Sequence, residues 1–292
     1  MSQLVIFTEA ADWHTRQLKR ACRKQGAQVS VLSLQDAAFQ LGQGGSGVSL
    51  PGFEDVLPLA VFVRVVAAGS FEQVTLRLGV LHALKLLGVP VINDARAIER
   101  CVDKAMTSFL LHHAGLPTPP TFVTGQMSRA TEHVAGARGD TIAKPLFGAQ
   151  GRYLRRLACG DEIPDLPGYA GVYYLQAMVE QRQGHHEDYR VLVVGDKAVA
   201  AMRRHSDHWV TNVAKGGQCE SVAPDGELAE LAVAAATAVG ADYAGVDLIA
   251  DAKGVLSVLE VNSMPAWKGL QSVTDFNIAE RLIDFALSRN AA

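Results

Sequence analysis

Two apolar runs near the end of the chain, Ala244–Ala250 and Val255–Val261, are separated only by Asp251-Ala252-Lys253-Gly254. Four residues leave no room for the crossover that parallel strands need, so the runs must pair as an antiparallel hairpin. Glu260 and Asn262 stand two apart on the second strand and point the same way. With the turn at Asp251–Gly254, the register sets Asp247 opposite Val258, on the face shared by Val258, Glu260 and Asn262. Neither strand carries a Lys or Arg to neutralise this set. Carboxylate and amide oxygens gathered in this way suit a hard cation. The alternative is a solvated hairpin face, against which the apolar flanks of both strands argue.

The rhythm of the chain changes once. Up to about Asn93, apolar runs at Leu4–Phe7, Gln28–Leu32, Val61–Val66 and Val89–Ile92 alternate with helical stretches. That alternation predicts a parallel sheet covered by helices. Asp12 is placed to cap the first helix. Residues 94–115 read as helices, and Pro117, Pro119 and Pro120 make a stiff connection. Beyond it, strands at Thr141–Lys144, Tyr153–Leu157 and Val172–Val179 follow one another with little helix between them. Gly195-Asp196 turns another hairpin, Leu228–Val239 is an alanine-rich helix, and a last helix runs from Asn277 to Ser288. The expected fold class is α/β plus α+β. A parallel N-terminal domain at 1–93 precedes two subdomains with antiparallel sheets, at 94–175 and 176–292.

Composition removes several functions. The 27 Lys and Arg against 30 Asp and Glu give a net charge of −3, without the basic excess of a nucleic-acid binder. The best candidate for a membrane span, Gly79–Ile92, is short and broken by His82 and Lys85, so no membrane span is expected. The N-terminus lacks the basic start and long apolar run of a secretory signal. Four scattered cysteines with no CxxC suit a reduced, cytoplasmic protein. Thr8-Glu9-Ala10-Ala11 follows the first strand where a dinucleotide-binding protein would carry GxGxxG.

Lys144 ends a strand and is followed by Pro145-Leu146-Phe147-Gly148-Ala149-Gln150-Gly151. A lysine with such a loop can hold phosphates through its ammonium and backbone N–H groups. It is not a P-loop, since no GK[ST] follows, and an exposed turn remains the alternative on these residues alone. Asp103-Lys104 is by itself a helix-surface charge pair.

Taken in order, these segments resemble the ATP-grasp superfamily and, within it, the RimK-type carboxylate–amine ligases. The resemblance runs from about Val61 to Ile283. It is carried by Arg64 with Ala67-Ala68-Gly69-Ser70, Asn93, Asp103-Lys104, Leu116-Pro117-Thr118-Pro119, Lys144-Pro145, Gly148–Gly151 and Gln176. It continues through Asp188-Tyr189-Arg190-Val191-Leu192-Val193-Val194-Gly195, Ala200–Arg204, Asn212, Gly216-Gly217, Gly245-Val246-Asp247 and Glu260–Pro265.

The resemblance implies ATP held between two antiparallel α+β subdomains, an acyl phosphate made from a substrate carboxylate, and its capture by an amine such as that of glutamate. It implies Mg²⁺ on Asp247, Glu260 and Asn262, with Mn²⁺ as a substitute. Lys104 and Lys144 match the phosphate-facing lysines, with Gly148, Gln150 and Gly151 in the loop and Gln176 beside the hinge. Ala177 and Met178 match the hinge whose backbone reads adenine, and Asp188 the acid at the ribose. Arg204 and Asn212 match positions at the transferring phosphate and acyl intermediate, and Arg190 and Lys215 lie on the substrate side. Ala177 replaces a usual Glu, Lys215 replaces an Arg, and Pro265-Ala266-Trp267-Lys268-Gly269-Leu270 replaces a Pro-Gly-Leu-Glu-Gly pattern.

The departures at Lys215 and Pro265–Leu270 fall where the acceptor would dock. They point to a small-molecule carboxylate or a coenzyme such as a pterin. The alternatives are amino-acid addition to a protein C-terminus or carrier protein, and a non-catalytic nucleotide-binding regulator. Arg64 follows a strand, and Ser70 then opens a helix, which is where open α/β sheets bind ligands. Arg64 and Arg204 would face one pocket and anchor the substrate's carboxylates, with Trp267 covering its less polar part. The partners expected are thus a carboxylate acceptor and an amino acid, without nucleic acid or membrane, and with a homo-oligomer left open.

Overall fold

The computed structural model describes residues 3–42, 45–148, 151–164, 167–182, 186–211 and 216–289. The chain forms two compact units: 1–98 with 240–243 and 263–292, and 99–239 with 244–262.

The first unit opens with β1 (Gln3–Phe7), α1 (Trp13–Lys24), β2 (Gln28–Leu32), the short β3 (Ala38–Phe39) and β4 (Val48–Ser49), and β5 (Ala60–Val63). It goes on with α2 (Phe71–Leu86), β6 (Val91–Ile92) and the start of α3 (Ala95–Val102). Its main sheet is parallel, in the order β2-β1-β5-β6. Leu4–Phe7 and Ala60–Val63 are wholly buried, as strands covered on both faces must be. Asp12 caps α1 as expected, its Oδ1 accepting from Thr15 N at 2.8 Å.

The second unit contains α4 (Lys104–His113), β7 (Thr121–Thr124), α5 (Met127–Ala135), β8 (Thr141–Lys144), β9 (Arg155–Leu157) and β10 (Tyr173–Ala177). Then come β11 (Glu187–Val194), β12 (Lys197–His205), β13 (Gln218–Val222), α6 (Gly226–Val239), β14 (Tyr243–Ala250) and β15 (Leu256–Asn262). It holds two sheets, β7-β10-β8-β9 and β13-β12-β11-β14-β15. In the first, Tyr173 and Leu175 join Ala130 and Val134 of α5 in a core. Alternation turns Tyr174, Gln176 and Lys144 to the other face. In the second, alanine-rich α6 lies across β11, β12 and β15. The small side chains of α6 suit the face carrying Val191 and Val193, which leaves Asp188 and Arg190 on the opposite one.

The chain then returns to the first unit with α7 (Lys268–Gln271) and α8 (Ile278–Ser288). Here the expected boundaries need correction. Residues from Ser263 onward group with the N-terminal unit, not with the preceding hairpin, and a boundary at 175/176 would cut β10. Helix α5 was not expected, because Gln126 before it makes no side-chain cap and its Ser, Thr and His are weak helix signals.

Candidate active site

The β14–β15 hairpin forms, but its register differs from the sequence expectation. Asp247 pairs with Glu260, Leu248 with Val258 and Gly245 with Asn262, with an irregularity between Asp247 and Leu248. Leu259 is therefore the extra residue of a bulge. Val258 is 1% exposed and falls away from the polar face. The correction tightens the expected oxygen set. Directly opposed side chains in an antiparallel pair lie about 5 Å apart at Cβ, and Asn262 stands two residues along the same face. The Asn262 amide N–H donates to Gly245 O at 3.3 Å, leaving its oxygen as the group with lone pairs to give.

Arginines crowd this face. Arg190 on β11 grips Asp247 along both edges, Nε to Oδ1 at 2.7 Å and Nη2 to Oδ2 at 2.6 Å. Arg204 on β12 sits opposite Asp188 on β11. It pairs with that carboxylate through Nε at 2.7 Å and through Nη2, and its Nη2 lies 3.3 Å from Asp247 Oδ2. Burial pushes the Asp247 carboxyl up, but two guanidiniums more than reverse this and hold it below the usual range. Asp188 is raised by burial, with Arg204 offsetting only part. Arg204 is buried, and its two carboxylate partners keep it firmly protonated against that burial.

The two lysines approach from other elements. Lys104 begins α4, whose N-cap Asp103 accepts from Ala105 N and Met106 N. Its Nζ donates to Gly148 O at 2.7 Å and lies 3.8 Å from Glu260 Oε1. Lys144 Nζ donates to Gln176 Oε1 at 2.7 Å and sits 5.7 Å above the Tyr174 ring. Burial brings its pKa down to about 8, with Glu260 opposing and Lys104 adding to the fall. Gln176 is anchored in turn, its Nε2 donating to Thr121 Oγ1 and Tyr174 OH at 3.1 Å each. Sequence reading had passed over Tyr174, although the Tyr-Leu-Gln alternation of β10 puts it on the face of Gln176.

Several of the expected ligands are engaged by other groups in this structure. Asp188 does not stand open to a ribose, because Arg204 occupies it. The hinge N–H groups are taken, Ala177 N by Pro120 O and Met178 N by Asp140 O, each at 2.8 Å. Adenine cannot be read by those two donors in this conformation. Ser70 caps α2, accepting from Gln73 N and donating to Glu72, and is no free substrate ligand. Trp267 is 1% exposed and cannot cover an acceptor from the surface. Gln150, Asn212 and Lys215 lie outside the described residues.

Within the first unit, Arg64 donates through Nη1 to Pro265 O at 3.0 Å and to Tyr243 OH at 3.3 Å. Asn93, also passed over as a working residue, is wholly buried. Its Nδ2 donates to Tyr243 O and Ser263 O at 2.7 and 2.6 Å, and its Oδ1 accepts from Tyr243 N at 3.1 Å and from Asp242 N. It thus clamps the start of β14 and the residue just past the end of β15.

Two carboxylates and an amide oxygen are hard donors, and the set fits Mg²⁺. Among the described residues no three His, Cys, Asp or Glu side chains gather as a metal cluster, so this set has two carboxylates and takes its third oxygen from the Asn262 amide. No helix among them is long and apolar enough to cross a membrane.

Similarity to known proteins runs along most of the chain. Residues 101–286 match the RimK-like ATP-grasp domain, and residues 1–98 match the RimK pre-ATP-grasp domain. The tetrahydromethanopterin:alpha-L-glutamate ligase of Methanococcus maripaludis is 33% identical over 296 residues, covering 97% of each chain. The alpha-aminoadipate–LysW ligase LysX of Saccharolobus solfataricus is 30% identical over 209 residues, 68% of this chain and 75% of that one. The ATP-grasp ligase PsnB, solved with a phosphomimetic variant of its minimal precursor, Mg and ADP, has a TM-score of 0.75. It is 25% identical and covers 99% of each chain. With both domains matched in order and a ligase aligned along nearly its whole length, the chain belongs to the RimK-like ATP-grasp family of ATP-dependent carboxylate–amine ligases.

Proposed function

We propose that this ligase adds glutamate or a similar amino acid to a small carboxylate-bearing acceptor, a coenzyme of the pterin kind. The observation that carries the chemistry is the cross-strand pair Asp247–Glu260 with Asn262 beside it and Lys104 Nζ 3.8 Å from Glu260. The acceptor class is supported by full-length similarity to a tetrahydromethanopterin:alpha-L-glutamate ligase.

In the reaction, a carboxylate oxygen attacks the γ-phosphorus of ATP, the bond to the bridging oxygen breaks and ADP leaves. The amine nitrogen then attacks the acyl carbon, phosphate departs and a proton is lost. Phosphoryl transfer needs positioning and charge neutralisation above all. Lys104 and Lys144 supply fixed positive charge to the phosphates from two elements, with Gly148 and Gly151 as further phosphate partners and Gln150 assigned beside them on the sequence resemblance alone. Gln176 holds Lys144 in place. Arg204 meets the charge that develops on the transferring group and Arg190 serves the substrate side, with Asn212 and Lys215 assigned to the same two roles on the sequence resemblance alone. Asp247, Glu260 and Asn262 would hold Mg²⁺, which draws negative charge off the β- and γ-phosphates; Mn²⁺ has the same oxygen preference.

A second reading, amino-acid addition to a carrier protein, is favoured by the similarity to LysX. A regulator without catalysis would be expected to lack a metal ligand or phosphate lysine, and the sequence keeps Asp247, Glu260, Asn262, Lys104 and Lys144. We also assign the protein to the cytoplasm, on four cysteines scattered along the chain with no CxxC motif. The test is phosphate release from ATP with L-glutamate across pterin coenzymes and carrier proteins, with products read by mass spectrometry. A pterin product one glutamyl residue heavier supports the proposal. Turnover only with a carrier protein would replace it by the second reading.

A further inference from the structure

Two buried side-chain nitrogens among the described residues have no hydrogen-bond acceptor, Arg64 Nε and Trp267 Nε1. They belong to neighbouring side chains, with Arg64 Cζ 4.7 Å from the centre of the Trp267 ring. Arg64 is 7% exposed and Trp267 1%. The polar groups around them are committed elsewhere. Arg64 Nη1 serves Pro265 O and Tyr243 OH. The Trp267 backbone N–H donates to His14 Nε2 at 3.2 Å, and His14 Nδ1 donates to Asp12 Oδ2 at 2.9 Å. With Nε2 accepting, the imidazole is neutral, and burial lowers its pKa further. Asp12 also accepts from Thr15. No described carboxylate pairs with Arg64.

Buried donors left unmet are costly, and a buried guanidinium without a carboxylate is costlier. Arg77 makes the contrast. It is buried to a similar degree, 6% exposed, but donates to Ala67 O and Ala68 O and leaves no buried nitrogen unmet. Arg64 also directly follows β5, a central strand of the parallel sheet, at the carboxyl end where such sheets take ligands. What fits two fixed donors beside a permanent positive charge is an acceptor-only anion of small size.

We infer that Arg64 Nε–H and the Trp267 indole N–H are the paired donors of a carboxylate site in the N-terminal unit, taking one substrate carboxylate. The inference rests on the ligase reading above. Entry requires movement of the Pro265–Trp267 segment, which the Arg64 hydrogen bond to Pro265 O holds shut. The ligand's charge meets the guanidinium, and the indole selects an oxygen that can accept. Amines are refused, since neither group can accept a hydrogen bond.

The carboxylate could belong to the amino acid or to the acceptor, so the experiment uses L-glutamate and, separately, glutarate. Each is titrated calorimetrically into the full chain, its Trp267→Phe variant and its Arg64→Lys variant at constant ionic strength. Trp267→Phe keeps a ring and removes one donor, and should weaken binding about tenfold, while Arg64→Lys should abolish it. ADP affinity should stay within twofold in both. Loss confined to L-glutamate assigns the site to the amine substrate; loss confined to glutarate assigns it to the acceptor. The inference is overturned if neither compound binds the wild type. It is equally overturned if Trp267→Phe binds normally and merely melts higher, as removal of an idle buried donor would allow. Binding lost in the variants, with no amide formed by the wild type in a separate assay, would sustain the site and refute the ligase reading instead.

Discussion

Arg190 holds the Asp247 carboxylate with two hydrogen bonds, at 2.7 and 2.6 Å, on the same sheet face as Glu260 and Asn262. A cation taken up by Asp247 must share that carboxylate with a guanidinium or displace it. Arg190→Gln should therefore tighten Mn²⁺ binding to the nucleotide-free protein, by roughly tenfold if ~1–2 kcal/mol of charge repulsion is relieved. Electron paramagnetic resonance of free Mn²⁺ reads the effect. Weaker binding in the variant would mean that Arg190 shapes the site and does not compete for it.

Lys144 gives a pH signature. Burial lowers its pKa to about 8, so its charge is present below that value and lost as pH rises through it. ATP affinity should fall between pH 7 and pH 9, and Lys144→Met should be weak throughout with a flatter profile. Titration calorimetry at several pH values measures both. A flat wild-type profile, or normal affinity in the variant, would remove Lys144 from the phosphate site.

Asn93 binds four backbone groups with one amide, at zero exposure. Asn93→Leu leaves two carbonyls and two N–H groups buried and unmet. The cost should be roughly 3–5 kcal/mol in chemical denaturation. A loss under about 1 kcal/mol would show that water replaces the clamp.

Much of this clamp and its surroundings could not be read from the sequence, and the reason is non-local. The hairpin was legible because Asp251–Gly254 is too short for any other connection. Its register was not, since the bulge at Leu259 depends on what each strand packs against. Lys104, Lys144 and Glu260 were legible as residue types in order. That Arg204 would pair with Asp188, and that the Ala177 and Met178 N–H groups would be consumed, depend on neighbours far away in sequence. The return of residues after Ser263 to the first unit leaves no local mark at all. Burial of Trp267 is likewise invisible in a segment that reads as a loop.

Asp242 carries a stability prediction. Burial raises its pKa to about 6, with Arg289 opposing and Asp94 adding to the rise. The folded value lies above the unfolded value near 3.8, so the folded state binds the proton more tightly. The stability gained on the acid side is lost as pH rises through about 6. Asp242→Asn should therefore stabilise the protein at pH 7.5, by up to roughly 3 kcal/mol, and by less at pH 5. The ion pair it forgoes is with an Arg289 that is 56% exposed, worth little. Melting temperatures at the two pH values decide; a gain that is equal at both would contradict the assignment.

The central claim is that the face shared by Asp247, Glu260 and Asn262 holds the divalent cation for phosphoryl transfer. Glu260 is half-buried and close to Lys104, and Glu260→Gln changes charge with almost no change in shape. The direct measurement is Mg²⁺-dependent ATP turnover of this variant, with its melting temperature as a control for folding. A fall of at least a hundredfold, on the order of 3 kcal/mol or more, with melting little changed, is the predicted result. Turnover within a few-fold of wild type would contradict the account and move the metal elsewhere.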